Sequence, residues 1–295
     1  MSNDNFGIKI YDINESIINQ QNFTGQKLLH CFNTEHIYKQ VMNKKTKKEE
    51  EKSIGTRYIN EFCSNDMKNA IETGRYFIKF DGGCGFIKYD EEKKKFIPYT
   101  RIDVKPDKKT NKFEEKNIDD TWIPCEPKPT HKNATHWPHF RPCVILDNEK
   151  CKEQLKKNPL KNTYEFGKFN DLLQIYAFEE IEECLVDVNT SFTIEYMGKK
   201  FNHCMSDPVD KDYCIVSHNS MEVIIPNELR NFDGLKQLFE VNLPYIEGFV
   251  VYDNKNKTVC KVRRDMFFDA NNTRFEWPNS KSSEKLAERV MFKKN

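Results

Sequence analysis

The chain has 295 residues, 37% of them hydrophobic, and a formal net charge of +1, enough for one large domain or a domain with a modest appendage. That balance excludes a whole-molecule electrostatic pull toward polyanions, and no apolar run approaches the roughly 18 residues of a membrane span. Mean hydropathy is polar at −0.80, yet 22 Phe, 12 Tyr and 3 Trp supply bulky core material, so a globular chain without membrane attachment is expected rather than a disordered one.

The ten cysteines stand singly and form no Cys-x-x-Cys, which excludes a zinc ribbon and a dithiol redox motif. Met1–Asn5 carries neither a basic nor an apolar leader segment, so reduced thiols and an intracellular, cytoplasmic location are expected. His131, His136 and His139 with Cys143 match no common zinc spacing and read as a polar loop. Lysines bunch at 44–48, 93–95, 105–112 and 156–161. Such runs are usually solvated faces, although several around one cleft would track a phosphate backbone.

In chain order, Phe6–Tyr11 alternates like a strand, and Asn43–Ser53 is charge-dense, an exposed loop or frayed helix. From Gly55 to Gly74 the apolar positions Ile59, Phe62, Cys63, Met67, Ala70 and Ile71 recur near every 3.6 residues, which predicts one helix, or two with a break at Ser64–Asp66. Gly74 is a natural stop. Tyr76–Phe80, Gly85–Tyr89 and Lys95–Ile102 read as a three-stranded antiparallel meander that returns Arg101 beside Lys79. Lys105–Asp120 is a polar insertion without periodicity. Tyr164–Glu180 has closer to helical than strand spacing, with a strand pair as the alternative, and Cys184–Val188, Ser191–Tyr196 and Glu222–Ile225 are β-rich. A short helix over Asp233–Phe239 leads to strands at Ile246–Tyr252 and Val259–Arg264, and Ser283–Phe292 reads as a terminal helix.

The stretch that carries chemistry is Phe77-Ile78-Lys79-Phe80-Asp81-Gly82-Gly83. Protonated lysine is a poor nucleophile, and burial beside other cations frees its amine. Glycines straight after it let backbone N–H groups approach a phosphate. Alone, the tetrapeptide Lys79–Gly82 reads more readily as a surface lysine before an Asp-Gly turn that closes a hairpin. Downstream, in order, stand Arg101, Glu195, Glu247 and Lys261 with Arg263. Cations can grip phosphate oxygens, and carboxylates can hold a metal ion and a ribose hydroxyl. Each taken singly is an ordinary strand-end or edge-strand charge, so the weight rests on their ordered conjunction.

This series resembles the covalent nucleotidyltransferase superfamily of DNA and RNA ligases and mRNA capping enzymes. Lys79-Phe80-Asp81-Gly82 looks like motif I, Arg101 like motif Ia, Ile194-Glu195-Tyr196-Met197-Gly198 like motif III, Glu247-Gly248-Phe249-Val250 like motif IV and Lys261-Val262-Arg263 like motif V. Within it, the chain is most similar to the vertebrate-type ATP-dependent 5′–3′ RNA ligases, through Arg101–Lys108, Trp122–Glu126 and Ile246-Glu247-Gly248 onward to Trp277-Pro278. The likeness spans roughly residues 75–280. It departs at Phe77-Ile78, where relatives often carry Thr-Glu, and in a longer stretch between Trp137 and Glu195.

The resemblance implies an α+β, ATP-grasp-like nucleotidyltransferase fold of antiparallel sheets flanked by helices. It implies an N-terminal extension over 1–74, a catalytic domain over 75–268 and a short tail over 269–295. About thirty residues follow Arg264, too few for the OB-fold that capping enzymes and DNA ligases append. By resemblance Lys79 carries AMP, while Ile78, Arg101, Glu195, Phe249, Lys261 and Arg263 contact the nucleotide. Phe249 would flank the adenine, and Glu195 and Glu247 would hold Mg²⁺, or Mn²⁺ in its place. ATP is the implied nucleotide, and RNA with 5′-phosphate and 3′-hydroxyl ends the implied partner of a monomeric enzyme. The alternatives are an mRNA guanylyltransferase, a DNA ligase, or a non-catalytic RNA-end binder that retains the fold.

Overall fold

The computed structural model describes residues 7–20, 25, 27–107, 109–113, 115, 118–130, 134–143, 163–185, 188–198, 213–243 and 246–267. The fold is mixed α/β, built mostly from sheets with few helices. Among the described residues, no helix is long and apolar enough to cross a membrane. The chain divides into two compact units, the first comprising Met1–Lys9, Leu28–Phe80 and Met221–Ser280, the second Ile10–Lys27, Asp81–Ser220 and Lys281–Asn295. Residues from 1–74 thus supply strands to the sheet that carries Lys79.

The first unit contains β1 (Gly7–Ile10, its last residue falling in the second unit), β2 (Leu29–His30), β3 (Phe32–Met42), β4 (Glu49–Phe62), α2 (Asn65–Thr73) and β5 (Arg75–Lys79). After the other unit's elements, it continues with β12 (Met221–Ile224), α4 (Phe232–Gln237), β13 (Gly248–Asp253) and β14 (Thr258–Arg263). Six strands form a sheet in the order β1–β12–β5–β13–β14–β2. Strand β5 lies antiparallel between β12 and β13, and β2 joins β14 in parallel. Strands β3 and β4 form a separate long hairpin.

One face of the six-stranded sheet buries Tyr76, Ile78, Phe249, Val251, Cys260 and Val262. Phe239, in the π turn after α4, stacks on Phe249 with centroids 4.8 Å apart. Phe32 gathers Tyr58, Phe62, Phe232 and Phe267 around it at 4.9–6.0 Å, which ties the root of the hairpin to the same apolar layer. Ser64 caps α2 by accepting from the Met67 N–H at 3.2 Å.

The second unit contains α1 (Ile13–Ile18), β6 (Gly83–Asp90), β7 (Lys95–Val104), β8 (Ile123–Pro124), β9 (Trp137–Pro142), α3 (Thr163–Glu182), β10 (Phe192–Met197) and β11 (Cys214–Ser217). Its sheet runs β11–β10–β6–β7–β9–β8, antiparallel throughout. Leu173, Ala177, Phe178 and Ile181 of α3 pack with Ile13 and Ile17 of α1 against Ile87, Phe192, Ile194 and Tyr196. Tyr99, Cys125 and Phe140 form a second cluster with Cys84 and Phe86.

Several sequence expectations are corrected. The 55–74 stretch is the end of strand β4 followed by α2, not helix throughout, because Ile59 and Phe62 serve a hairpin before the Ser64 cap opens the helix. Asn43–Ser53 is the hairpin's turn and the start of β4. Asn43 Oδ1 accepts from the Lys45 and Thr46 N–H groups, and Lys47 turns with φ 54°, a conformation costly for most residues but reachable in tight turns. Gly74 does stop α2 as expected, its N–H donating to the Ala70 carbonyl, but at φ −73° rather than in the left-handed region. The meander reduces to the β6–β7 pair, since β5 pairs with β12 and β13. Cys184 and Leu185 lie in a 3₁₀ turn rather than a strand. The expected terminal helix, Ser283–Phe292, lies outside the described residues.

Candidate active site

Strand register assembles the first group of charges. Lys79 of β5, Gly248 of β13 and Arg263 of β14 stand in one row, and Phe77, Val250 and Lys261 in the next row but one. Directly paired residues project to the same side of a sheet, so Lys79, Lys261 and Arg263 share one face. Gly248 leaves the space between Lys79 and Arg263 open. A Cβ there would lie 2.0 Å from the Val262 carbonyl oxygen, so no other residue fits without parting β13 from β14.

Glu247, immediately before β13, fills that opening with its carboxylate. Lys79 Nζ donates to its Oε2 at 2.5 Å, and Arg263 Nε stands 3.7 Å from Oε1. The Glu247 carbonyl accepts from the Arg264 N–H at 2.9 Å, which fixes the backbone that presents the side chain. Arg263 Nη2 also donates to Asp265 Oδ2 at 2.6 Å, while Asp265 Oδ1 is buried without a hydrogen-bond partner among the described residues. Tyr58 braces the end of β14 by accepting from the Arg263 N–H at 3.1 Å, and its hydroxyl meets His30 Nδ1 at 2.5 Å. Burial holds that phenol neutral, its pKa raised above the usual range.

The result is a partly exposed carboxylate flanked by an amine and a guanidinium, and the same guanidinium also holds the Asp265 carboxylate. Glu247 and Asp265 are hard oxygen donors, and Asp265 Oδ1 is an acceptor without a hydrogen-bond partner among the described residues. This donor set suits Mg²⁺ or Mn²⁺.

The second unit brings together Arg101 and Glu195. Glu195 of β10 is paired with Cys84 of β6, and Arg101 of β7 is the next partner across the sheet, one step beyond the Gly85–Thr100 pair. Gly82 presses on this row, since a Cβ there would sit 2.4 Å from the Tyr196 carbonyl oxygen and 2.9 Å from Glu195 Cγ. The first glycine after Lys79 is therefore required by packing against β10, a reason independent of any phosphate. Glu195 is 7% exposed, and its Oε2 lies 3.0 Å from His218 Nε2. Burial pushes the Cys84 thiol up to about 12, against the partial relief of the Arg101 charge and hydrogen bond. Arg101 reaches Asp103 only at 3.5 Å, and its Nε is buried without a hydrogen-bond partner among the described residues.

Two residues expected to contact the nucleotide have buried side chains. Phe249 is fully buried on the sheet face opposite Lys79, stacked on Phe239 and edge-on to Tyr76. The Ile78 side chain is likewise 5% exposed and points into that apolar layer. Asp265, His218 and Cys84 escaped the sequence reading. Asp265 follows the Arg263-Arg264 pair and Cys84 sits in Gly83-Cys84-Gly85, two local hints, but His218 had none. The His131–Cys143 stretch yields no metal-ligand cluster among the described residues. His139 instead packs edge-on to Trp137 at 4.4 Å.

No family model matches the chain, and no curated protein matches it.

Proposed function

We propose that this chain is an ATP-dependent RNA ligase that works through a covalent lysyl-AMP. The observation that carries the reading is the Lys79–Glu247 pair at 2.5 Å, with Arg263 and Lys261 on the same sheet face. This is the set of charges that nucleotidyl transfer to a lysine requires.

In that reading the Lys79 amine attacks the α-phosphorus of ATP. The new N–P bond forms as the P–O bond to pyrophosphate breaks, the pyrophosphate leaves with the electron pair, and the nitrogen gives up its remaining excess proton to solvent. Lys261 and Arg263 meet the phosphate oxygens. Glu247, with Asp265, would hold Mg²⁺, which supplies charge neutralisation on the triphosphate. The Lys79 ammonium, held by Glu247 at 2.5 Å, gives one proton to solvent before it attacks. Arg101 and Glu195 are assigned to phosphate and ribose recognition by resemblance alone. AMP next passes to the 5′-phosphate of an RNA, and a 3′-hydroxyl displaces it to close the strand.

The test is self-labelling of purified protein with labelled ATP, then a joining assay on RNA and DNA ends. ATP-dependent, acid-labile labelling with RNA joining supports the proposal. Preference for GTP makes it a guanylyltransferase, and joining of DNA alone makes it a DNA ligase. No label from any nucleotide, with binding of 5′-phosphorylated RNA in gel shift, leaves a non-catalytic end binder.

A further inference from the structure

Hydrogen-bond roles around His218 can be assigned from groups with only one option each. The Thr193 backbone N–H donates to Gln20 Oε1 at 2.7 Å, which fixes that atom as the carbonyl oxygen of the amide. Gln20 Nε2 accordingly donates to the His218 carbonyl and to Ser217 Oγ, both at 2.8 Å. Because Gln20 Oε1 can only accept, the Thr193 hydroxyl, 2.8 Å away, must donate to it. Thr193 Oγ1 is then an acceptor toward His218 Nδ1 at 2.9 Å, so Nδ1 carries the ring hydrogen.

That assignment decides what faces Glu195. In a neutral ring with Nδ1 protonated, Nε2 presents a lone pair. It points at Glu195 Oε2 from 3.0 Å. A nitrogen lone pair and a carboxylate oxygen stay at that distance only with a cation between them, either a proton or a metal ion. Cys84 distinguishes the two. One ligand atom from each of Cys84, Glu195 and His218 lies within 4.8 Å of the others, and a proton needs no sulfur.

We infer that Cys84, Glu195 and His218 form a three-ligand site for a divalent transition-metal ion of the zinc class. Zn²⁺ takes sulfur, imidazole nitrogen and carboxylate oxygen together, whereas Mg²⁺ takes oxygen. Tetrahedral zinc with bonds of about 2.0–2.3 Å sets its ligands ~3.5 Å apart, and torsions of the Cys84 and Glu195 side chains take up the difference from 4.8 Å. The outer partners are already in place, since Thr193 and Gln20 hold the imidazole in the tautomer that offers Nε2, the arrangement metal-bound histidines use. Binding replaces the thiol proton of Cys84 with the metal and releases that proton to solvent. Three protein ligands leave a fourth position for water or a small donor. The ion joins β6, β10 and the turn after β11. This site gives Glu195 a metal-ligand role in place of the ribose contact that the resemblance implies, and it binds with no nucleotide present.

The experiment uses the full chain, reduced and freed of metal, titrated with Co²⁺ and in parallel with Zn²⁺. One equivalent of Co²⁺ should produce thiolate-to-cobalt charge transfer in the near ultraviolet and the visible bands of a tetrahedral ion, and Zn²⁺ should displace it. Cys84→Ser should remove the charge-transfer band. Thr193→Val, which keeps all three ligands but frees the imidazole, should weaken binding by about tenfold or more. Zinc-edge X-ray absorption of the unaltered protein should show one sulfur among nitrogen and oxygen neighbours, a readout that holds even where a variant fails to fold. Absence of the charge-transfer band, its persistence in Cys84→Ser, or a zinc shell without sulfur overturns the inference and leaves only a proton between His218 and Glu195.

Discussion

Lys79 and Glu247 are 168 positions apart in sequence, yet Lys79 Nζ donates to Glu247 Oε2 at 2.5 Å. The pairing of β5 with β13 makes this contact, because Lys79 stands opposite Gly248 and the preceding residue reaches back over the strand end. Arg263 approaches the same carboxylate from the other side at 3.7 Å. One anion thus holds two cations on a single sheet face. Anything that draws the carboxylate away changes the state of the amine.

Lys79→Arg keeps a positive charge that Glu247 can pair with but replaces the amine by a guanidinium, which stays protonated. The variant should melt within a degree or two of the unaltered protein and show no covalent nucleotide. Labelling retained in Lys79→Arg, measured on a denaturing gel, would place the nucleophile elsewhere.

Glu247→Gln preserves volume and removes the charge. The Glu247 side chain is 18% exposed, but its partners Lys79 and Arg263 are 26% and 36% exposed, so partial screening holds the stability cost to about 1 kcal/mol. Loss of a metal-holding carboxylate should cost more in rate, about 100-fold in self-labelling, or ~2.7 kcal/mol. A rate within threefold of the unaltered protein removes Glu247 from metal binding.

Gly248→Ala places a methyl group 2.0 Å from the Val262 carbonyl oxygen. Neither strand can yield without losing ladder hydrogen bonds, so the predicted loss is about 3 kcal/mol in urea unfolding. Self-labelling should fall in the same variant because Glu247 loses its footing. An unchanged midpoint would show that β13 and β14 part freely at this end.

The Cys125 thiol, packed against Tyr99 and Phe140, is pushed by burial from 9.0 to about 12, with partial relief from the Arg101 charge. Between those values the native state keeps a proton that the unfolded state has lost. Stability therefore falls as pH rises through this window, by at most about 1.4 kcal/mol per pH unit from this group. Below pH 9 the thiol contributes no slope. Urea midpoints of the unaltered protein should drop more steeply from pH 8 to 10.5 than those of Cys125→Ala. Parallel curves would mean that the thiol ionises as readily in the fold as outside it.

Strands whose signal is local were legible from residue pattern. Arg75–Lys79, Gly83–Asp90, Phe192–Met197, Gly248–Asp253 and Thr258–Arg263 all appear where apolar runs meet turn residues. Strand partners were not legible. Three neighbouring runs in sequence invite a meander, but β5 finds its neighbours around residues 222 and 250, and nothing in Tyr76–Lys79 encodes that choice. The hairpin of β3 and β4 was hidden for another reason. Its turn, Asn43–Lys48, contains no glycine and relies on the Asn43 side chain and a left-handed Lys47.

For the site, residue type and order were informative and side-chain direction was not. Lys79, Lys261, Arg263 and Glu247 gather at one strand end because alternation and register agree. Phe249 and Ile78 are adjacent in sequence to that group but point into the opposite layer, since consecutive strand residues alternate. His218 was invisible in sequence because its meaning comes from Gln20 and Thr193, residues brought to it by tertiary packing.

Phe249 gives the sharpest separation between packing and recognition. It is fully buried between Phe239 and Tyr76, 4.8 and 5.6 Å from their ring centroids. Truncation to alanine should cost about 3–5 kcal/mol, from lost burial and from the cavity left behind. Phe249→Leu keeps most of the volume and should cost about 1–2 kcal/mol, which leaves the protein folded at low temperature. Under those conditions ATP concentration dependence of self-labelling should match that of the unaltered protein, while the urea midpoint falls. A tenfold loss of apparent ATP affinity with an unchanged midpoint would instead return Phe249 to the nucleotide, and would require a sheet whose buried face opens to solvent.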